Sequence, residues 1–298
     1  MAKSRQIHRK LERSKRILST SSPMYLSSAP TPLVRSTSPL PIDDSLVVAV
    51  KAEASRLMNV YLIRETLFPT KNRNTELADA ALTGAIAGCS NNNNAKATTL
   101  AAWKLRTEGR GTLTRLKGTV KQIHKDCQGK SCARGAVAGA FELCVQILFR
   151  NTEDIVPSRQ LDASALLSSD DCLDTIIQRA NGGQSQTFRV PFGNSAVFIM
   201  TEHILVDLGY RRYIPLDSPS DWEPALRNIV ALSATVCELE IQQCYMTGWF
   251  KSIDLEAQGR TVYVKMTERM ASLQGTDLRE FRGMLSFWHL LLKTLPVC

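Results

Sequence analysis

From Asp44 almost to its carboxyl end, the chain repeats apolar residues at intervals of three and four. The pattern begins in DSLVVAVKAEASRLMNVYLIRETLF and is longest in IVALSATVCELEIQQCYMTGWFKSID, residues 229–254. This spacing places apolar side chains on one face of an α-helix, whereas a half-buried strand would alternate at every second residue. Alternation of that kind is almost absent from the sequence. The pattern therefore predicts an all-α body, a single multi-helix globular domain over residues 44–298.

Helix-breaking residues divide this body into segments. Asparagine and glycine tolerate the left-handed backbone of a helix end, and asparagine also caps a helix start. We therefore expect helix ends at Asn91, Gly209 and Gly248 and a helix start at Asn194. The sequence further predicts helices over residues 112–127, 133–149, 169–180, 222–248, 255–274 and 277–294, the last one capped by Thr276, and a short extended piece at 187–191. The nearly all-apolar helix 133–149 is expected to be buried.

The first 43 residues have a different composition. Residues 19–41 are dense in Ser, Thr and Pro, and residues 1–40 carry eight Lys or Arg against Glu12, so that +7 of the formal net charge of +9 lies there. Such a segment cannot bury enough apolar surface to offset the entropy cost of ordering. The sequence predicts a disordered basic amino-terminal arm over residues 1–43.

The arm also contains a candidate targeting segment. Nuclear import receptors bind closely spaced Lys and Arg, which here are Arg9, Lys10, Arg13, Lys15 and Arg16. A Ser-rich, acid-poor segment with an amphipathic start is also typical of a mitochondrial presequence. Because Glu12 and the high lysine content fit a presequence less well, we predict a nuclear location, with the mitochondrion as the alternative.

Several classes of function lack support in the sequence. It contains no Walker loop, no dinucleotide-binding glycine motif and no signature of a zinc protease, serine hydrolase or kinase. No apolar run approaches the roughly 18–20 residues that span a bilayer. The eight cysteines lie mostly within helix patterns, which indicates reduced thiols rather than a disulfide framework. We assign no catalytic residue, cofactor or membrane association.

Basic residues are concentrated between positions 104 and 134, where nine Lys and Arg accompany only Glu108 and Asp126. Clustered cations attract nucleic-acid phosphates because binding releases counterions. The alternative is a solvated helix face that balances acidic helices elsewhere. The candidate nucleic-acid-binding residues are Lys104, Arg106, Arg110, Arg115, Lys117, Lys121, Lys125 and Lys130.

Two weaker constellations have structural alternatives. His124, Cys127 and Cys132, with Cys144, include residue types that bind zinc, but their spacing matches no common zinc motif. Helix-packing cysteines are the favoured interpretation, and we predict no metal site. A pocket among the carboxyl-terminal helices would involve His203, Tyr245 and Trp249. Cys237 and Cys244 are two helical turns apart, too far for a disulfide, and are predicted to be core residues.

One part of the sequence resembles a known family. The run ALSATVCELEIQQCYMTGWFKSIDLEAQGRTVYVKMTERMASL ends its first helix in Tyr245-Met246-Thr247-Gly248 and carries Tyr263 and Leu273 in the next. With LFPT at Leu67–Thr70 and the basic segment Arg115–Val120, it resembles the carboxyl-terminal core of a fungal domain family of unknown function, abundant in mushroom-forming basidiomycetes. The resemblance covers roughly residues 46–275. It implies a structural role for the aromatic-Thr-Gly corner and supplies no catalytic residues.

The sequence leaves two function classes open. The first is a non-enzymatic helical binding or regulatory protein, nuclear and associated with nucleic acid through its basic surfaces. The second is an enzyme or small-molecule-binding protein with a pocket among the carboxyl-terminal helices. A continuous basic surface would favour the first class, and a deep pocket with convergent polar groups would favour the second.

Overall fold

The structure, a computed structural model, describes residues 43–91, 93–128, 132–141, 152–169, 171–181, 184–250 and 253–295. Helices dominate these residues, which confirms the all-α fold class. The predicted disordered arm lies outside the described residues except for Asp43. The elements, in chain order, are α1 (Asp44–Glu65), α2 (Lys71–Ser90), α3 (Asn94–Leu105), α4 (Thr107–Lys117), α5 (Thr119–Cys127), α6 (Cys132–Ala140), α7 (Thr152–Leu167), β1 (Thr175–Asn181), β2 (Gln184–Val190), α8 (Ser195–Glu202), a π-helical turn (His203–Asp207), a 3-10 turn (Tyr210–Tyr213), α9 (Pro219–Thr247), α10 (Leu255–Ser272) and α11 (Gly275–Thr294).

Helix α9 forms the centre of the fold. It is 29 residues long, and every residue from Asn228 to Ile241 is buried. It packs against α1, α6, α7, α8, α10 and α11. A helix buried on all faces must satisfy its own polar groups, and the hydroxyls of Ser233 and Thr235 donate to carbonyls one turn earlier. The predicted core residues Cys237 and Cys244 are both buried here.

The helix boundaries follow from capping chemistry. The residues that begin α1, α2 and α8 accept hydrogen bonds from backbone amides of the first turn; they are Asp43, Thr70 and Asn194. At the end of α9, Gly248 has a φ of +68°, and a Cβ there would lie 2.5 Å from Val156 Cγ1 of α7. Glycine is needed at this corner for both reasons. The predicted boundaries at Asn91, Asn194, Gly209 and Gly248 are confirmed.

Residues 175–181 and 184–190 pair as the two antiparallel strands of a hairpin, so the predicted helix over 169–180 is wrong. The register runs from Thr175↔Val190 to Asn181↔Gln184, and the piece predicted at 187–191 is the end of β2. An isolated hairpin is marginally stable in water. This one packs against α11 through β2. Arg179 and Arg189 also form ion pairs with Glu280 at 2.8 Å and Asp277 at 2.6 Å.

Other boundaries differ by a few residues. Gly118 separates α4 from α5, where the sequence predicts one continuous helix. Helix α9 begins at Pro219, a residue that suits the first helical position. Gly275 begins α11 rather than closing α10, and Gln274 takes the capping position predicted for Thr276. The predicted buried helix over 133–149 is described only as α6, where Ala133, Ala136 and Val137 are buried. Within the described ranges, no helix combines the length and apolarity required to cross a bilayer.

Candidate nucleic-acid interface

The corner between α3 and α4 sets the direction of the helix that carries three of the eight predicted basic residues, Arg110, Arg115 and Lys117. Trp103 Nε1 donates to Glu108 Oε2 at 3.1 Å and links the two helices. Gly109 lies so close to Lys104 that a Cβ at this position would be 2.4 Å from the Lys104 carbonyl oxygen. Because a side chain does not fit there, glycine allows α3 and α4 to pack at this short distance.

The eight predicted nucleic-acid-binding residues differ in their pairing. Lys104 Nζ lies 2.6 Å from Asp79, and Lys121 Nζ lies 2.8 Å from Glu256, while Lys130 is outside the described residues. Within the described part of the chain, no carboxylate oxygen lies within 4.0 Å of the other five cations. We call these five residues the cationic surface: Arg106, Arg110, Arg115, Lys117 and Lys125. Four are exposed and Lys117 is half-buried.

Most described arginines elsewhere in the body are neutralised by carboxylates. Ten arginines lie within 4.0 Å of an acidic oxygen: Arg56, Arg64, Arg73, Arg134, Arg179, Arg189, Arg227, Arg269, Arg279 and Arg282. Arg159 and Arg260 instead donate to the backbone carbonyls of Gly248 and Pro69. The cationic surface therefore has an excess of positive charge that the neighbouring helices do not compensate.

A cleft of about 590 Å³ adjoins the cationic surface. It lies between the α4–α5 corner and the 3-10 turn, and Arg115 and Arg212 both line it. The guanidinium of Arg212 lies 4.9 Å from the centre of the Tyr213 ring, which is a cation–π contact. Among the described residues, Arg212 has no carboxylate within 4.0 Å, as is also true of Arg115.

Asp126 is the carboxylate that lines this cleft, and it is engaged within the protein. Its two oxygens accept hydrogen bonds from Tyr210 Oη at 2.9 Å and from Gln122 Nε2 at 2.6 Å. Burial, together with nearby acidic groups that include Asp126, raises the pKa of Tyr210, so the phenol stays protonated and donates. Asp126 therefore orders the wall of the cleft and pairs with neither arginine.

Sequence reasoning missed Arg212. This residue lies about eighty positions after the end of the basic run, just past Gly209 and Arg211. Only the tertiary fold brings it into the same cleft as Arg115. An adjacent pair of arginines between a helix-ending glycine and Pro215 is the signal that could have identified it. Neither periodicity nor local charge density could predict which distant helix it would approach.

His124 and Cys127 of the zinc constellation are buried packing residues. His124 Nε2 donates to the Leu67 carbonyl at 2.8 Å, and its ring stacks on Phe68 at 4.2 Å. Burial lowers the pKa of His124 and raises that of the Cys127 thiol, so both groups favour their neutral forms. Cys144 lies outside the described residues. Among the described residues, no three His, Cys, Asp or Glu side chains are arranged to hold a metal ion.

Two segments that carry the family resemblance meet in the core. Tyr263 Oη accepts a hydrogen bond from the Leu67 amide at 3.4 Å and donates to Asn228 Oδ1 at 3.1 Å. The ring of Phe68 packs 4.9 Å from Tyr263 and would collide with any Cβ on Gly259. The segment Leu67–Thr70 is thus held between α9 and α10, and these residues have a packing role.

The three residues of the predicted carboxyl-terminal pocket have different surroundings in the described structure. Tyr245 lines a shallow cleft between α7 and α9, and Trp249 packs on the guanidinium of Arg159 at 4.8 Å. His203 lies in the π-helical turn, where Nδ1 is 2.8 Å from Asp207 Oδ2, and it does not line that cleft.

A further cleft of about 440 Å³ lies beside α10, and its charges are compensated. Lys265 Nζ lies 3.2 Å from Glu238 Oε1, and Arg269 donates to Asp174 Oδ2 at 2.6 Å. Burial raises the pKa of Cys172 in this cleft to about 11, which keeps the thiol protonated and weakly nucleophilic near neutral pH. The cleft that contains Arg115 and Arg212 therefore differs in having uncompensated positive charge.

Comparisons with protein-family models, curated proteins and solved structures find no match to this chain. The resemblance to the fungal domain family remains a prediction.

Proposed function

We propose that this protein is a helical binding protein that holds nucleic acid through its cationic surface. The supporting observation is the contrast in arginine pairing: ten arginines elsewhere lie against carboxylates, whereas Arg106, Arg110 and Arg115 of this surface do not. Unpaired cations are free to bind phosphates, and their binding releases the counterions condensed on a nucleic acid. Phosphate contacts position a protein without reading bases, so we expect binding that is independent of sequence.

Neutralising the cationic surface should weaken nucleic-acid binding about ten-fold or more at moderate salt. The variant carries Arg106→Gln, Arg110→Gln, Arg115→Gln and Lys125→Gln in the full chain. Each lost phosphate contact should also reduce the slope of log Kd against log salt concentration by about one. Fluorescence anisotropy with a labelled duplex at several salt concentrations measures both quantities.

A matched control removes the same charge from arginines that are already paired: Arg56→Gln, Arg73→Gln, Arg279→Gln and Arg282→Gln. Both variants lower the net charge of +9 by four, so they separate local from overall electrostatics. We expect the control to retain affinity within about two-fold of the unmodified protein. Equal losses in the two variants would show that overall charge, and not the cationic surface, governs binding.

We also propose that the basic cluster in residues 9–16 directs nuclear import. The supporting observation is its composition, since five Lys and Arg lie within eight positions and Glu12 is the only acidic residue among them. An import receptor would bind such a segment through its closely spaced charges. The nuclear location is consistent with a protein that binds nucleic acid.

A fluorescent protein fused to residues 1–45 should accumulate in the nucleus of a transfected cell. Replacing Arg9, Lys10, Arg13, Lys15 and Arg16 with glutamine should return it to an even distribution, because the receptor-binding charges are removed. Microscopy with nuclear and mitochondrial markers measures the outcome. Accumulation in mitochondria would support the presequence alternative and contradict this proposal.

A further inference from the structure

We propose that the cleft containing Arg115 and Arg212 binds the terminal phosphate of a nucleic-acid strand, together with the first nucleotide. This inference deepens the proposed function and rests on it, because it identifies the part of a bound strand that enters the cleft. The remaining cations of the surface would contact the phosphodiesters that follow.

The charge of the cleft fits a terminal phosphate better than an internal one. A phosphodiester carries one negative charge, whereas a phosphomonoester carries about −1.5 to −2 near neutral pH. Arg115 and Arg212 line the same cleft and have no carboxylate partner among the described residues. Two guanidinium groups can together neutralise a dianion, and each can donate two hydrogen bonds to its oxygens.

The shape of the cleft also favours a strand end. Its volume of about 590 Å³ lies within the range of small-molecule sites and exceeds what a phosphate alone would fill. The stacked pair of Arg212 and Tyr213 provides a flat edge for a base, since bases stack on both aromatic rings and guanidinium planes. A recess of this size can accept one nucleotide at a chain end, whereas internal nucleotides would bind on the open helical surface.

The polar groups in the wall of the cleft are compatible with this ligand. Asp126 keeps its negative charge and lowers the net formal charge of the lining from +2 to +1, and the hydrogen bonds from Tyr210 and Gln122 hold it in the wall without an ion pair to either arginine. The ordered wall leaves the two arginines as the charged groups without a partner in this cleft. Their separation in sequence also makes the site dependent on the folded protein, unlike the basic arm.

The test compares two 12-nucleotide oligothymidylates, labelled at the 3′ end, that differ only in a 5′-phosphate. Fluorescence anisotropy with the full chain should show about ten-fold tighter binding of the phosphorylated strand, because two charge-assisted contacts are added. Arg212→Met should remove this preference, because the phosphorylated strand loses both the phosphate contact and part of the base stacking, whereas the unphosphorylated strand loses only the stacking. Arg110→Met, on the cationic surface but outside the cleft, should weaken both strands equally and preserve the preference. Adenosine monophosphate should displace the phosphorylated strand from the cleft more effectively than inorganic phosphate does, because it also supplies a base.

The outcomes separate this inference from the proposed function. Equal binding of the two strands, with a loss in Arg110→Met, would overturn the cleft assignment and leave the cationic surface supported. A preference that survives Arg212→Met would also overturn it, because the terminal phosphate would then bind elsewhere. Binding that is insensitive to both substitutions and to salt would contradict the proposed function itself. Arg212 is exposed, so loss of folding in its variant is not expected.

Discussion

Replacing Gly109 with alanine should lower the free energy of unfolding by roughly 2–4 kcal/mol. The added Cβ would lie 2.4 Å from the carbonyl oxygen, 2.5 Å from the Cα and 2.6 Å from the carbonyl carbon of Lys104. All three are backbone atoms, which cannot rotate away as a flexible side chain can. Relief of the overlap would require α3 and α4 to separate, which would disturb the packing of buried Trp103 beneath this corner.

Gly111 provides the control for this experiment, since it lies in the same helix and nothing lies within 4 Å of a Cβ built there. Alanine is a better helix former than glycine by up to about 1 kcal/mol, so Gly111→Ala should stabilise the protein slightly. Urea unfolding followed by circular dichroism measures both variants. Similar midpoints for the two substitutions would show that the close approach at Gly109 does not constrain the corner.

The Gly109 variant should also change the geometry of the candidate interface. Helix α4 carries Arg110 and Arg115, so its direction relative to α3 determines where these cations lie. A rearranged corner would move them relative to Arg212 in the 3-10 turn. A close backbone contact on the buried side of α4 thus contributes to the geometry of the charged side.

Replacing Glu240 with glutamine should stabilise the protein by roughly 2–3 kcal/mol at pH 8 and by little at pH 5. Burial raises the pKa of Glu240 from its ordinary value of 4.5 to about 7, against the opposing effect of Arg134. The side chain is 2% exposed and Arg134 Nε lies 3.8 Å from Oε1, too far for a hydrogen bond. Within the described residues, Oε2 has no hydrogen-bond donor.

The direction of the pH effect follows from proton linkage. The folded protein holds the Glu240 proton more tightly than the unfolded chain does, so this group favours folding fully below about pH 4.5. Its contribution declines as pH rises through the folded pKa of about 7. Glutamine is neutral at every pH and resembles the protonated acid, so the variant should lack this decline.

Urea unfolding of both proteins at pH 5, 6, 7 and 8 measures the effect, because the other titrating groups are common to the two. The difference in unfolding free energy should grow with pH. Glu76→Gln, which alters an exposed carboxylate paired with Arg73, should change stability by less than about 0.5 kcal/mol. A Glu240→Gln variant that is less stable at pH 8 would show that the ion pair with Arg134 stabilises the fold despite its length.

The all-α class and several helix boundaries could be predicted from the sequence because their causes are local. Asn194 accepts a hydrogen bond from an amide two residues later, and Gly248 supplies a left-handed φ at the end of α9. Such contacts span a few residues and recur wherever the same side chains occur. The long apolar pattern of α9 likewise predicts a buried helix without reference to its neighbours.

The hairpin shows where local reasoning fails. Ile176 and Ile177 follow Leu173 at spacings of three and four, which also suits a helix, while the β-branched residues near Gly182-Gly183 favour strands. Packing of β2 on α11 and the ion pairs of Arg179 and Arg189 with that helix stabilise the extended form. These contacts involve residues about 90–100 positions away, so the sequence pattern alone could not distinguish the two conformations.

The candidate interface likewise combines a feature that is local in the sequence with one that depends on tertiary contacts. The concentration of Lys and Arg between residues 104 and 134 is visible in the sequence, but which of them stay unpaired depends on acidic residues of other helices. Asp79 of α2 neutralises Lys104, and Glu256 of α10 neutralises Lys121. Coulomb attraction acts through space and falls off with distance, so a cation's partner is determined by tertiary packing. Local capping and periodicity determined the helices, and the tertiary structure alone decided which charges remain free and that Arg212 shares a cleft with Arg115.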